Sequence, residues 1–415
     1  MSHSDFKGRH VLVLEGYCKQ CLPFLRSFKN AGCEVTVLCG SRLDCSWLSR
    51  LPDHRILGIC DIHRPQESER YIADLIKTGR YDMVFSPFDF SSKILAHHKE
   101  ELSQHAHIVA NNADIYDAAS DKETVMKVCM DNGIPCPRTY FDIESQKELD
   151  SRKIEFPVII KPKRMYGARG FHIFETCEEL NDYIKQKKIR LADYVIQEFI
   201  PLGSNVGGSV HFIDSNGDIK SDFLYVCNHL YPEDGGTSTL NSILDRPDIL
   251  ESCREVVRKM KLRGIVGLDF MIDKRDNKGK IIEINVRPPH GVAIGFIGGV
   301  DLGRQTLEDV FGNEVTPMQI TNSDFCLRIL QTDVLWFISS PDRFRRSPRK
   351  LGFKKVKEQM FYWDDPLPWF GFLISGIKDY RKKMKEKRSL IKVNGSSVMR
   401  KPLMSIFQTG TLSSS

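Results

Sequence analysis

From His10 to Asn112, short apolar runs alternate with helical stretches, and this alternation limits the fold more than any other feature of the chain. HVLVLEG (10–16), CEVTVLCG (33–40), YDMVFSP (81–87) and HIVANN (107–112) each have the length of a buried strand. ERYIADLIKTG (69–79) is one of the helical stretches between them. Strands joined through helices run parallel, because a tight turn only reverses the chain. A parallel sheet is apolar on both sides and needs helices over each face. An α/β domain is therefore expected over residues 1–115. Gly16 closes the first strand, but no GxGxxG follows, so a bound dinucleotide is not implied.

A chain of 415 residues exceeds one ordinary core, so two or three domains are expected. Past residue 113 the texture changes. Residues 118–132 read as one helix with Val125, Val128 and Cys129 on a face, stopped by Gly133 ahead of Pro135 and Pro137. Strands, a glycine loop and a helix over 177–187 fill 156–213. Residues 248–262 form an amphipathic helix with Ile249, Cys253, Val256, Val257 and Met260 on one side, capped at Arg263-Gly264. A further helix is expected over 303–311.

No run approaches 18 apolar residues, and MSHSDFKGRH lacks the apolar centre of a signal peptide, so a cytoplasmic protein is expected. In that compartment the twelve cysteines are expected to be free thiols. Cys18-Lys-Gln-Cys21 has redox or zinc half-site spacing, but no second CxxC or His pair accompanies it. The net charge of +6 is uneven: residues 341–388 hold 15 Lys/Arg against 6 Asp/Glu, which leaves the rest slightly negative. The body of the chain is therefore not expected to bind nucleic acid.

GIVGLDFMID (264–273) and GKIIEINV (279–286) flank a polar turn and predict a hairpin. Centred on Asp276, it sets Asp269 opposite Glu283, and alternation puts Glu283, Asn285 and Arg287 on one side. Opposed carboxylates repel. A divalent cation between them, with the Asn285 amide oxygen as a third ligand, would reverse that penalty, and such an oxygen set suits Mg²⁺ (or Mn²⁺). A merely solvated polar face is the alternative, and the hairpin alone leaves both open.

FPVIIKPKRMYGARGFHIFE (156–175) sets Lys161 at a strand end beside a loop with Lys163, Arg164, Gly167, Arg169 and Gly170, where backbone N–H groups and cations could cradle an anion. YVIQEFIPLG (194–203) is a buried strand that turns polar at Gln197-Glu198. Asp121-Lys122 opens a helix, where Asp is ordinary capping.

In this order the segments resemble the ATP-grasp superfamily over roughly residues 1–312, most closely its carbamoyl-phosphate-synthase-like and biotin-carboxylase-like carboxylate–amine ligases. The resemblance implies an α/β and α+β protein. A parallel-sheet pre-ATP-grasp domain (1–115) would precede a two-lobed ATP-grasp domain (116–315), with a lid over 156–200 and a metal-binding lobe over 203–315. An extension (316–388) and a flexible tail (389–415) would follow. It implies that Lys122 and Lys161 contact ATP phosphates under a loop of Tyr166, Gly167, Ala168, Arg169 and Gly170. Gln197, Glu198, Phe199 and Ile200 would line the adenine pocket. Asp269, Glu283 and Asn285 would hold Mg²⁺, and Arg287, with Lys161, would act on the reacting group. Two positions depart from the family: Asn205 stands where many relatives place an acid or His, and PPHGVA (288–293) replaces the usual R-x-S-G continuation.

The implied chemistry is activation of a small-molecule carboxylate as an acyl phosphate by Mg·ATP, with formation of ADP, then capture by an amine. Carboxylation, phosphorylation and a non-catalytic scaffold stay open as alternatives, as does a homodimer. Residues 334–388 combine VLWF, FYWDDPLPWFGFLI and YRKKMKEKR. One expectation is a membrane-surface contact. The preferred one is an appendage packing its aromatics on the grasp domain, because Asp364, Asp365 and three prolines interrupt an amphipathic helix. The DDPLPWF segment also resembles that of D-aspartate-ligase-like enzymes, which fits a cell-envelope or secondary-metabolite pathway.

Overall fold

The computed structural model describes residues 6–164, 172–201, 205–232, 236–345 and 355–374. The chain divides into two compact units, the first made of Met1–Ala110, Cys227–Ile243 and Arg287–Ser415, the second of Asn111–Val226 and Leu244–Val286.

The first unit opens with β1 (His10–Val13), α1 (Cys21–Asn30), β2 (Glu34–Cys39), α2 (Cys45–Leu48), β3 (His54–Leu57), α3 (Pro65–Lys77), β4 (Met83–Phe85), α4 (Asp89–His97), α5 (Lys99–Leu102) and β5 (His107–Val109). Its strands pair in parallel in the order β3-β2-β1-β4-β5. Leu12, Leu38 and Val84 of the sheet bury against Ile72 and Ile76 of α3 and Leu95 of α4. Each such side chain contributes roughly 1.5–3 kcal/mol. The apolar runs mark every strand but β3, whose HRIL is neither continuous nor alternating. Strand order reverses at β1, so the loops leaving β1 and β4 diverge and open a crevice at their carboxyl ends, the usual ligand position in such sheets.

The second unit continues with α6 (Ala113–Ser120), α7 (Lys122–Asp131), β6 (Thr139–Tyr140), α8 (Gln146–Ser151), β7 (Val158–Pro162), β8 (His172–Phe174), α9 (Cys177–Lys187), β9 (Tyr194–Glu198), β10 (Asn205–Ile213), β11 (Ile219–Tyr231), β12 (Thr237–Leu244), α10 (Pro247–Lys259), β13 (Gly264–Ile272) and β14 (Gly279–Asn285). Strands β11 and β12 are divided between the units. A four-stranded sheet, β6-β9-β7-β8, packs Val158, Ile160 and Ile196 against Leu180 and Ile184 of α9. Strands β14, β13, β10 and β11 form an antiparallel sheet. Helix α10 starts on Pro247 and buries Ile249, Cys253, Val256 and Val257 as its periodicity predicts, but it ends at Lys259, so Met260, expected on the same face, follows it half-buried.

Two local expectations are corrected. The single helix over 118–132 is two helices, because Asp121 has extended backbone and its carboxylate accepts the Glu123 and Thr124 N–H groups as the cap of α7. Strand β14 ends at Asn285, so the alternation that was to align Arg287 with Glu283 stops before it.

The first unit is completed by α11 (Ala293–Gly298), α12 (Leu302–Val310), β15 (Cys326–Arg328), α13 (Leu330–Ser339) and β16 (Val356–Glu358). Ser27 of α1 donates to Asp301 at 2.5 Å, and Gly303 lies where any Cβ would strike Ser27, so α12 packs tightly on α1. The DDPLPWF segment packs here too. Asp364 pairs with Arg26 and Arg50, and Asp365 accepts from Ser49 and the Arg50 N–H. Trp336 is buried, while Phe337, Ile338, Phe344, Trp363 and Phe370 are exposed. The basic run 380–388 lies outside the described residues. Among the described residues no helix is long and apolar enough to cross a membrane.

Candidate active site

In the second unit, the β13–β14 hairpin pairs Asp269 with Glu283 across the strands, but not by simple symmetry. From the turn outward Ile272 faces Gly279, Met271 faces Lys280 and Phe270 faces Ile281. The next pair skips Ile282, so a bulge brings Glu283 opposite Asp269. Without that extra residue Asp269 would face an isoleucine. Asn285 donates through Nδ2 to Asp269 Oδ2 at 3.0 Å, joining the third expected ligand to the pair.

Two lysines compensate the acids. Lys122, the first residue of α7, reaches Glu283 Oε2 at 3.3 Å. Lys161 pairs with Val195 across β7 and β9, and its ammonium makes no ion pair or hydrogen bond among the described residues. Burial draws its pKa down to about 8, partly offset by Glu283 and reinforced by Lys122. For Glu283, burial raises the carboxyl, but Lys122 and Lys161 outweigh it and hold the group below its usual value. The start of α7 is tied to β7 by Lys122 N–H to Lys163 O at 3.1 Å, Lys163 with Glu123, and Arg164 with Asp121 at 3.1 Å. Nothing in the sequence singles out Glu123, because an acid in a first helical turn is common.

The hinge is more internally committed than its motif suggests. Gln197 is buried and donates to Thr139 Oγ1 at 2.8 Å. Glu198 accepts the Arg138 N–H and pairs with Arg275 and Lys280, which share Asp273. The Glu198 and Phe199 N–H groups go to Arg138 O and Pro157 O. The N–H of buried Ile200 has no partner among the described residues. Asn205 is exposed at the start of β10. Tyr166, Gly167, Ala168, Arg169 and Gly170 lie outside the described residues.

Arg287 belongs to the first unit, where Nε and Nη2 each donate to Asp89 at 3.0 Å and Nη1 to Pro288 O at 3.0 Å. Its guanidinium lies 5.4 Å from the centre of the Phe88 ring. Nothing in PFDF marks Asp89 as its partner, since an acid opening a helix reads as capping. At the same end of the sheet, Glu15 accepts the Ser91 N–H and hydroxyl, and burial pushes its pKa up to about 7. Cys18 and Cys21 are buried free thiols, pushed well up by burial, as are most of the twelve cysteines.

The donor set at β13–β14 fits a hard divalent cation. Among the described residues no group of three His, Cys, Asp or Glu could hold a metal, which leaves the two carboxylates and the Asn285 amide. Turning that amide over offers its oxygen to the same spot. Few oxygen donors beside lysines leave positions for water and phosphate, the usual state of protein-bound Mg²⁺.

Residues 119–290 match the ATP-grasp domain family. The chain is 25% identical over 311 residues to a D-aspartate ligase of Enterococcus faecium, covering 68% of this chain and 70% of the ligase. It is 26% identical over 208 residues to a carbamoyl-phosphate synthase of Methanobrevibacter smithii, covering 46% of this chain and about half (52%) of that protein. Among solved structures, N5-carboxyaminoimidazole synthetase from Staphylococcus aureus complexed with ADP superposes with a TM-score of 0.59 at 16% identity, covering 76% of this chain and 80% of that one. Biotin carboxylase from Campylobacter jejuni superposes with a TM-score of 0.62 at 16% identity, covering 73% and 71%. The matched stretch holds Lys122, Lys161, Asp269, Glu283 and Asn285, so the similarity to the ATP-grasp domain covers the whole candidate site of the second unit.

Proposed function

We propose that the protein is an ADP-forming ligase that activates a small-molecule carboxylate with ATP and joins it to an amine. The observation that carries this is the bulge-registered Asp269–Glu283 pair beside Lys122 and Lys161, inside the stretch matched to the ATP-grasp domain. The lysines neutralise phosphate oxygens, and the low pKa of Lys161 marks a cation kept desolvated for a strongly anionic ligand. The Ile200 N–H is the hinge donor left for the adenine edge. Asp269, Glu283 and Asn285 hold Mg²⁺, which supplies charge neutralisation as the phosphoryl group moves. Arg287, its plane fixed by Asp89, is the cation for the reacting oxygens. No protein nucleophile is needed, since alignment and neutralisation carry the reaction.

The D-aspartate ligase supports an amide-forming reaction over carboxylation. The test is ADP release from Mg·ATP with pools of carboxylates and amines, run with and without bicarbonate. Amine-dependent ADP formation lost in Glu283→Gln is expected. Bicarbonate-dependent, amine-independent turnover would assign carboxylation instead. No ADP from any pool and no nucleotide binding would end the enzymatic reading.

A further inference from the structure

Two motifs have no part in this chemistry, Cys18-Lys-Gln-Cys21 and Pro288-Pro-His290-Gly291. Within the first unit they come together. Lys19 follows β1 into the crevice where the strand order reverses. It is 9% exposed, and its carbonyl accepts the Leu22 N–H at 3.3 Å, yet its ammonium makes no ion pair and no hydrogen bond among the described residues. A largely buried ammonium without a partner is unfavourable and persists where something offsets its cost. Burial lowers its pKa to about 8, which Cys18, Cys227 and Glu358 only partly oppose.

Neither Glu358, the carboxylate whose charge acts on Lys19, nor Asp89 of the same unit is a ready counter-ion. Glu358 accepts from the Leu330 N–H at 3.2 Å and lies 3.6 Å from Arg328, and burial raises its own pKa to about 7. Asp89 is taken by Arg287. The Cys18 thiol is pushed well up, first by burial, and stays protonated. Tyr17, two residues before Lys19, and His290 both pack against the Phe88 ring, at 5.8 and 5.9 Å between ring centres, and His290 has a buried Nδ1 with no partner. Burial, then Lys19, then Arg287 hold its imidazole neutral, so it meets a ligand as a hydrogen-bonding group and not as a charge. Its backbone is fixed by Gln359 Nε2 donating to His290 O at 3.3 Å, and its ring by the Phe88 edge at 5.9 Å. The Gln20 Nε2 and Gln359 Oε1 atoms are also buried without partners.

We infer that Lys19 and His290 form a binding site for a carboxylate group of a small organic acid, with Gln359 of the C-terminal segment positioning His290. An unpaired cation beside an orphaned imidazole nitrogen is complementary to an oxyanion, which satisfies both at once. The inference rests on the ligase reading only in taking that acid to be a substrate. It also gives roles to CKQC, PPHG and the start of the C-terminal segment. Lys19, and not the flanking thiols, is the working residue of CKQC.

The experiment uses the full chain with succinate, L-aspartate, D-aspartate and inorganic phosphate as probes. Affinity is read by calorimetry and thermal shift, with Mg·ADP binding as a separate readout. A carboxylate probe is expected to bind the wild type. Lys19→Met should weaken it at least about tenfold, leave Mg·ADP affinity intact, and melt at or above the wild-type temperature because an unpaired buried charge is gone. That last result separates a ligand site from a structural lysine, whose loss would lower the melting temperature. His290→Ala should weaken the same probe, which keeps the test decisive if Lys19→Met does not fold. Binding of phosphate alone, of no probe at about 10 mM, or of carboxylates equally by both variants would overturn the inference. Carboxylate binding that depends on Lys19 without any ADP formation would retain the site and reject the ligase. ADP formation with Lys19-independent acid affinity would do the reverse.

Discussion

Replacing Asp89 by Asn tests whether Arg287 is held by its partner or by its surroundings. Both side chains are 6% exposed and share two hydrogen bonds of 3.0 Å. Removing one charge from a buried pair strands the other and costs about 3–5 kcal/mol. Asn still offers one acceptor, and Arg287 keeps Pro288 O and the Phe88 face, so a loss near 3 kcal/mol is expected. Arg287→Met should cost a similar amount by leaving Asp89 charged at the start of α4. The double variant should recover most of the loss, because replacing both charges removes the desolvation penalty of each. Amide exchange in β1 and β4, which belong to the same unit as both residues, reports this locally without assuming that the whole chain unfolds in one step. Losses under about 0.5 kcal/mol in the single variants, as for surface pairs, or additive effects in the double variant, would refute the reasoning. Turnover adds a second criterion. If Arg287 acts on the reacting oxygens, the double variant regains stability but not turnover.

Asp269→Asn should leave the unliganded protein equally stable or up to about 1 kcal/mol more so, since opposed carboxylates no longer repel. It should lose most of the stabilisation by Mg·ADP, about 2.7 kcal/mol at a hundred times Kd; an undiminished thermal shift would disprove the metal assignment. Glu15, raised from 4.5 to about 7, binds its proton more tightly in the folded state. Its contribution is full below about pH 4.5 and declines as pH rises to 7. Glu15→Gln should flatten that part of the urea-stability profile, and an unchanged slope would count against the burial argument. Gly207→Ala would place a Cβ 2.5 Å from the Phe270 ring and 2.6 Å from Tyr225 O, so a loss of about 1–3 kcal/mol is expected in chemical denaturation. Trp336 is 1% exposed and stacks on His229 with ring centres 3.4 Å apart. Truncation to Ala should therefore cost about 3–5 kcal/mol, and a loss below 1 kcal/mol would contradict the packing.

What the sequence determined by itself are the features carried by local periodicity and by residue types in order. Apolar runs with helices between them dictate the parallel sheet around β1, since no other arrangement buries both faces. The face of α10 and the pairing of β13 with β14 follow from the same local rules. Lys161, Asp269, Glu283 and Asn285 are legible because their chemistry is unusual for strands. Only the tertiary structure decided the bulge at Ile282, without which the opposed carboxylates would miss each other. It alone joined Arg287 to Asp89, 198 positions apart in the chain. The physical reason is common to these cases. A local pattern records which face of an element is apolar, whereas the partner of a buried charge is set by long-range packing that no short window of sequence contains.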